Sequence, residues 1–232
     1  FGRRAVDSIR RADILAFRAE LSRMPGRNGK PLGNARINKV MTFLRQILNE
    51  AADRFGFARA FQGIRPLKIN KTDIHPFTLE EVNQILRAVR KDYHNYMAVR
   101  FYTGLRTGEI NGLRWRNVDF TNGLIYIRET LVNGKLQKGT KTYEPRDVPM
   151  LPIVREVLQT QRKAVSKEIE WVFCNREGNP IDSQNFTKRV WTPLLRYLDF
   201  EYRRPYQTRH TAATLMLASG ENPEWIARVL GH

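Results

Sequence analysis

Apolar side chains along the first seventy residues recur every three or four positions, the period of an amphipathic helix. Ile14, Phe17, Leu21 and Met24 keep that spacing, and Ile9 and Leu15 widen the stripe, which predicts a helix over residues 7–24. A turn-rich stretch, Pro25-Gly26-Arg27-Asn28-Gly29-Lys30-Pro31, interrupts it. The pattern resumes with Ile37, Val40, Met41, Leu44, Ile47, Leu48 and Ala51, which predicts a long helix over 34–55. Gly56 is placed to end it as a left-handed cap.

Further along, helical periods alternate with short β-branched runs. Thr78-Leu79-Glu80-Glu81 has the form of a capping box and opens a helix with Val82, Ile85, Leu86 and Val89 inward. Residues 93–103 are apolar on most sides, as expected of a buried helix. Leu124-Ile125-Tyr126-Ile127 reads as a strand, Asn133-Gly134 as a hairpin turn, and a second strand ends in Asp147-Val148-Pro149-Met150-Leu151. Val154, Val157 and Leu158 begin another helix, and Trp171-Val172-Phe173 suggests a short strand. Helices follow over 186–198, 208–219 and 223–230, the last opened by Pro223. The expected fold is mainly α with a small, three-stranded antiparallel sheet packed among helices.

Charge changes this picture by dividing it. Of a formal net charge of +17, residues 1–72 carry +11. The stretch 64–76, with Pro66 and Pro76 near its ends and no clean period, separates the two halves. This predicts a helical, DNA-contacting domain over 1–63, a linker over 64–76 and an α+β domain over 77–232. Arg36, Lys39 and Arg45 on the 34–55 helix are the candidate DNA contacts of the first. So basic a surface attracts polyanions, and nucleic acid is the expected partner, ahead of an anionic membrane surface.

Other chemistries find little support. Cys174 is the only cysteine, which excludes a disulfide framework and a cysteine zinc finger. His75, His94, His210 and His232 show no paired ligand spacing and no carboxylate cluster suggests a two-metal nuclease, so no metal or cofactor is expected. Phosphate-loop and serine-elbow motifs are absent, as is any apolar run of membrane-spanning length. Two arginine settings stand out instead. In Thr103-Gly104-Leu105-Arg106-Thr107-Gly108-Glu109-Ile110 a buried helix ends at a glycine, an arginine sits on the turn, and Thr107 is placed to cap the next helix. In Tyr206-Gln207-Thr208-Arg209-His210-Thr211 an arginine lies at a helix start. Two guanidinium groups brought together offer about ten N–H donors, a match for the oxygens of one phosphodiester.

With the closing Val229-Leu230-Gly231-His232, these two stretches resemble the signature boxes of the tyrosine recombinases of phage-integrase type, in order and in separation. The similarity runs the whole length of the chain. It implies a helical core-binding domain in front and a catalytic domain behind, joined as a C-shaped clamp on DNA. Arg106 resembles the family's first catalytic arginine and Arg209 the second, which clamp the scissile phosphate. Glu109 resembles the acidic residue that orients the pocket. Lys141, beside the hairpin, resembles the lysine that protonates the departing 5′ oxygen; Lys138 is the second candidate for that role and a candidate DNA contact. A lysine titrates near ~10.4 and is an acid at neutral pH. His232 resembles the last histidine of the Leu-Gly-His box, a phosphate hydrogen-bond donor.

Two departures from the family pattern are visible. Tyr206 stands where histidine is usual; a phenol donates to phosphate but, with a pKa near ~10, shuttles protons poorly at neutral pH. The nucleophilic tyrosine of the family lies beyond the Leu-Gly-His box, and no tyrosine here occupies that place. The chain is therefore expected to be a fragment that binds DNA without cleaving it, drawn from an enzyme that acts through a 3′-phosphotyrosyl intermediate. The resemblance further implies a homotetrameric synaptic complex, DNA-bending accessory proteins and a cytoplasmic setting on the bacterial nucleoid. A catalytically silent DNA-binding or excision-control protein and a type IB topoisomerase are the alternatives on the same scaffold.

Overall fold

The computed structural model describes residues 4–26, 29–69, 74–139 and 145–231. The chain separates into two compact units, Phe1–Asp73 and Ile74–His232.

The first unit is built on two helices. α1 (Arg11–Arg23) is preceded by a single 3-10 turn, Val6–Ser8, so the helix expected from residue 7 begins four residues later. The reason is local: Arg10 is extended, and its N–H donates to the Asp13 carboxylate at 2.8 Å, which fixes the start. α2 (Asn34–Phe55) ends at Gly56 with φ +71°, as its sequence predicts. The two helices close over Ile9, Ile14, Leu21, Ile37, Met41, Leu48, Phe61 and Ile64. Ile47, expected in this stripe, is exposed, because at 100° per residue it falls off the stripe's edge. Of the expected linker, residues 64–69 run beside α2. Asn38 donates to the Leu67 carbonyl and accepts from its N–H, both at 2.8 Å, while Asn34 donates to the Lys68 carbonyl at 2.7 Å.

In the second unit, α3 (Leu79–Ala88) opens with the expected reciprocal cap between Thr78 and Glu81. α4 (Lys91–Thr103) is buried on every side from Tyr96 to Phe101. α5 (Thr107–Asn111) follows, and then β1 (Val118–Asp119), β2 (Leu124–Ile127), β3 (Glu129–Val132), β4 (Lys135–Lys138) and β5 (Arg146–Pro149). β1, β2 and β5 form a three-stranded antiparallel sheet in that order, with Ile125 opposite Val148 and Ile127 opposite Arg146. β3 and β4 form a separate hairpin whose turn, Asn133-Gly134, has φ +50° and +74°.

The stretch Trp171-Val172-Phe173, expected as a strand, makes only one bridge, between Trp171 and Arg114. The Gln161 side chain takes the Val172 carbonyl at 2.9 Å and removes the group a neighbouring strand would use. α6 (Pro152–Ala164) packs against α4. The helix expected over 186–198 comprises α7 (Ser183–Phe186), a π turn (Thr187–Trp191) and α8 (Thr192–Tyr197). Pro193 has no N–H to return to residue 189, which accounts for the widened turn. α9 (Gln207–Ala218) and α10 (Pro223–Leu230) end the fold, α10 capped by the Asn222 side chain.

Phe77 packs edge-on against Phe101 and Trp191 at 5.8 and 5.7 Å between centroids, at the middle of this core. Among the described residues no helix is long and apolar enough to cross a membrane.

Candidate active site

The C-terminal ends of α4 and α10 and the N-terminal ends of α5 and α9 meet at one point, and a glycine permits the meeting. Gly104 ends α4 with φ +64°, and a Cβ there would stand 2.5 Å from Leu230 Cδ2 and 3.1 Å from the Ala212 Cβ. The chain then turns directly into α5. Arg106, not Thr107, occupies the cap position of α5, and its N–H donates to Glu109 at 2.8 Å. Thr107 Oγ1 instead accepts from Arg100 at 3.1 Å. Gly108 lets the hairpin lie on α5, since a Cβ there would meet Thr130 Oγ1 at 2.5 Å and the Leu131 carbonyl at 2.8 Å.

Three arginines converge on the last carbonyls of α10. Arg146 Nε donates to the Val229 carbonyl at 2.8 Å, Arg209 Nη2 to that of Leu230 at 2.5 Å, and Arg106 Nη2 to that of Gly231 at 2.7 Å. A helix C-terminus leaves such carbonyls unpaired and carries partial negative charge, so cations are favoured there. Arg209 also donates to the Gly104 carbonyl at 2.8 Å, which ties the two predicted boxes together. Burial first, and the neighbouring Arg106 second, lower the Arg209 pKa to about 10; the group stays protonated at neutral pH.

Glu109 lies among them. Arg146 forks onto both its oxygens at 2.9 and 2.6 Å, and Arg106 Nη1 adds a third side-chain bond at 2.8 Å. Burial favours the protonated carboxyl, but Arg146 and then Arg106 outweigh it and hold Glu109 below the usual carboxylate range. Three cations against one anion leave the cluster positive, suited to a phosphate.

Of the other predicted residues, Tyr206 begins α9, is 46% exposed, and faces His210 edge-on at 5.3 Å. Burial, then Arg209, lowers the His210 pKa. Lys138 is exposed at the end of β4. Lys141 and His232 lie outside the described residues. In the first unit Arg36 and Lys39 are exposed on α2. Arg45 is half-buried over the Phe61 ring at 5.2 Å and donates to the Ile64 carbonyl at 2.8 Å, so its guanidinium is engaged within its own unit.

Two residues escaped the sequence reading. Arg146 opens β5 and pairs with a glutamate 37 positions away. Arg100 is 1% exposed and bridges the Thr107 hydroxyl and the Pro205 carbonyl at 3.1 and 3.0 Å, binding together the segments that carry Arg106 and Tyr206. An arginine within the otherwise apolar run 96–101 was the available signal for Arg100. A cavity of about 880 Å³ between the start of α4 and the end of α6 contains none of the cluster. Among the described residues no group of three or more His, Cys, Asp or Glu gathers as a metal site would.

A model of the phage integrase family matches residues 76–232. Prophage integrase IntR of Escherichia coli K12 is 27% identical, over 98% of this chain and 63% of that protein. A tyrosine recombinase XerC-like protein of Caldanaerobacter subterraneus is 28% identical, over 84% and 59%. The chain thus spans about three-fifths of the length of these relatives. Among solved structures, the Tn1549 transposon integrase in complex with circular intermediate DNA aligns with a TM-score of 0.81 at 18% identity, over all of this chain and 80% of that one. A lambda integrase tetramer bound to a Holliday junction gives 0.75 at 15%, over 97% and 65%. At these identities the likeness is one of fold.

Proposed function

This chain belongs to the phage integrase family of tyrosine recombinases, and from that premise we propose that it is the DNA-binding and strand-cleaving part of a site-specific recombinase. The observation that carries the reading is the convergence of Arg106, Arg209 and Glu109 at the end of α10. The two predicted boxes, a hundred residues apart in sequence, supply the donors of one pocket.

In this reading Arg106 and Arg209 bind the non-bridging oxygens of the scissile phosphate and neutralise charge that grows on them during in-line attack. A tyrosine hydroxyl gives up its proton to solvent as its oxygen forms the new bond to phosphorus and the bond to the 5′ oxygen breaks, giving a 3′-phosphotyrosyl link. Lys141, or Lys138 at the hairpin's edge, delivers the proton the leaving 5′ oxygen takes up. Tyr206 and His232 add hydrogen bonds to the phosphate. A 5′ hydroxyl from a partner strand then attacks the link and returns the proton, so the ester bond energy is conserved without ATP. The exposed cations of the first unit contact the duplex backbone. Four copies assembled on two sites would exchange the strands, and the tetrameric lambda integrase complex supports that stoichiometry.

A nicked suicide duplex carrying the attachment site tests this. The 232-residue chain should shift the duplex but leave no protease-sensitive covalent band on a denaturing gel. The full-length protein should give that band. A full-length protein that binds and never links would favour the silent DNA-binding alternative, and linkage without strand exchange would favour a topoisomerase.

A further inference from the structure

We propose that Arg146 is a positioning residue of the phosphate pocket: it neutralises Glu109, so that this carboxylate orients Arg106 without repelling the phosphate that Arg106 and Arg209 hold. The inference rests on the reading of the pocket given above.

Glu109 is 2% exposed and accepts four N–H bonds, two from Arg106 and two from Arg146. Only Arg146 meets both oxygens through its side chain, in the planar fork that suits a carboxylate. Its third nitrogen, Nε, is committed to the Val229 carbonyl at 2.8 Å. All three nitrogens of Arg146 therefore bond within the protein, and its influence on DNA passes through Glu109. Among the described residues the charged groups that face Glu109 are Arg146 from β5, Arg106 at the head of α5 and, acting at longer range, Arg209 from α9.

A buried carboxylate beside an anion-binding site is repulsive unless a cation matches it, because the interior screens charge poorly. With Arg146 present, Glu109 and Arg146 cancel, and Arg106 and Arg209 face the phosphate with their full charge. Without it, Arg106 would be shared between two anions. The glutamate would then oppose the negative charge that grows in the transition state.

Single-turnover cleavage of the nicked duplex by the full-length protein tests this through a rescue. Arg146→Met should lower the rate at saturating protein about 100-fold, with duplex affinity changed less than about threefold. Adding Glu109→Gln removes the unmatched charge and should restore at least about tenfold of that loss. Arg146→Lys keeps the charge, should lose less than about tenfold, and should gain nothing from Glu109→Gln.

A double variant no faster than Arg146→Met overturns the proposal. If Arg146→Met does not fold, a loss of about 100-fold in Arg146→Lys that Glu109→Gln leaves unrelieved overturns it equally. Arg209→Ala separates the two levels of inference. If it still cleaves, the pocket reading fails; if it does not cleave and no rescue is seen, only the role of Arg146 fails.

Discussion

Arg36 and Lys39 on α2 stand in solvent, whereas Arg146 and Arg209 of the second unit are 9% and 2% exposed. Both pairs are cationic, yet they suit different tasks. An exposed cation loses little hydration on meeting a DNA phosphate and gains mainly by releasing counterions, so it contributes affinity that salt removes. A buried cation is already held by carbonyls or a carboxylate. It needs no reorganisation when charge develops beside it, which is the condition for lowering a barrier. The first unit carries +10 of the net +17, while the second holds the arginines whose guanidinium groups are bonded to backbone carbonyls and to the Glu109 carboxylate. In the proposed function, net charge marks where DNA would bind, and burial and partners mark where it would react.

Variants that move one property without the other sharpen this contrast. The largest effect is expected at Arg106→Ala, which should reduce cleavage about a thousandfold or more and leave duplex affinity within about threefold, since one contact among many is lost. Single-turnover kinetics beside a gel-shift titration checks both halves.

Glycine substitutions probe the two frameworks. Gly56 and Gly104 share left-handed backbones, but Gly56 has open space around it and Gly104 meets Leu230. Gly56→Ala should therefore cost about 1 kcal/mol of stability, and Gly104→Val at least about 3 kcal/mol, read from urea midpoints. Equal costs would mean that the junction of α4, α9 and α10 is looser than described.

Tyr206→His should keep cleavage within about tenfold, because imidazole supplies a comparable donor and is the group usual at this position. A complete loss would show that the phenol has a task of its own.

The smallest expected effect is on acid stability. Glu81, through Arg203 and against burial, and Glu109, as described, both have folded pKa values below their ordinary value of 4.5. Their stabilisation is present above that value and is lost as pH falls through the lower folded values. The unfolding midpoint should hold from neutral pH to about 5 and then decline. Glu109→Gln should flatten part of that decline.

Much of the scaffold was legible because local chemistry marked it. Gly56 after an apolar stripe, Thr78 three residues before Glu81, Asn133-Gly134 and Pro223 each fix an element end by a short-range rule, and those ends lie where the sequence puts them. The start of α1 was not legible, because the Asp13 bond to the Arg10 N–H competes with a stripe that would extend the helix to residue 7. The bridge at Trp171 failed as a strand for a similar reason: the Gln161 side chain, eleven residues away, decides it.

In the site, Arg106 and Arg209 could be read from their glycine-turn and helix-start settings, and the structure joins them through Gly104 and α10. Arg146 and Arg100 could not be assigned, since their partners are set by tertiary packing and have no fixed sequence spacing. The setting of Arg45 was not legible either: helical periodicity puts it on an outer face, and tertiary packing folds it back onto Phe61 and Ile64.

The division of labour between the two units is tested most directly by measuring duplex affinity against salt and saturated cleavage rate on the same full-length proteins. Arg36→Ala with Lys39→Ala should reduce the slope of log K against log salt by about 1.8, roughly 0.9 for each phosphate contact, with the cleavage rate unchanged at saturation. Arg209→Ala should do the reverse, keeping the slope and losing cleavage. If the α2 pair leaves the slope unchanged, or if Arg209→Ala weakens binding as severely as it slows cleavage, affinity and chemistry are not divided between exposed and buried cations and the account is wrong.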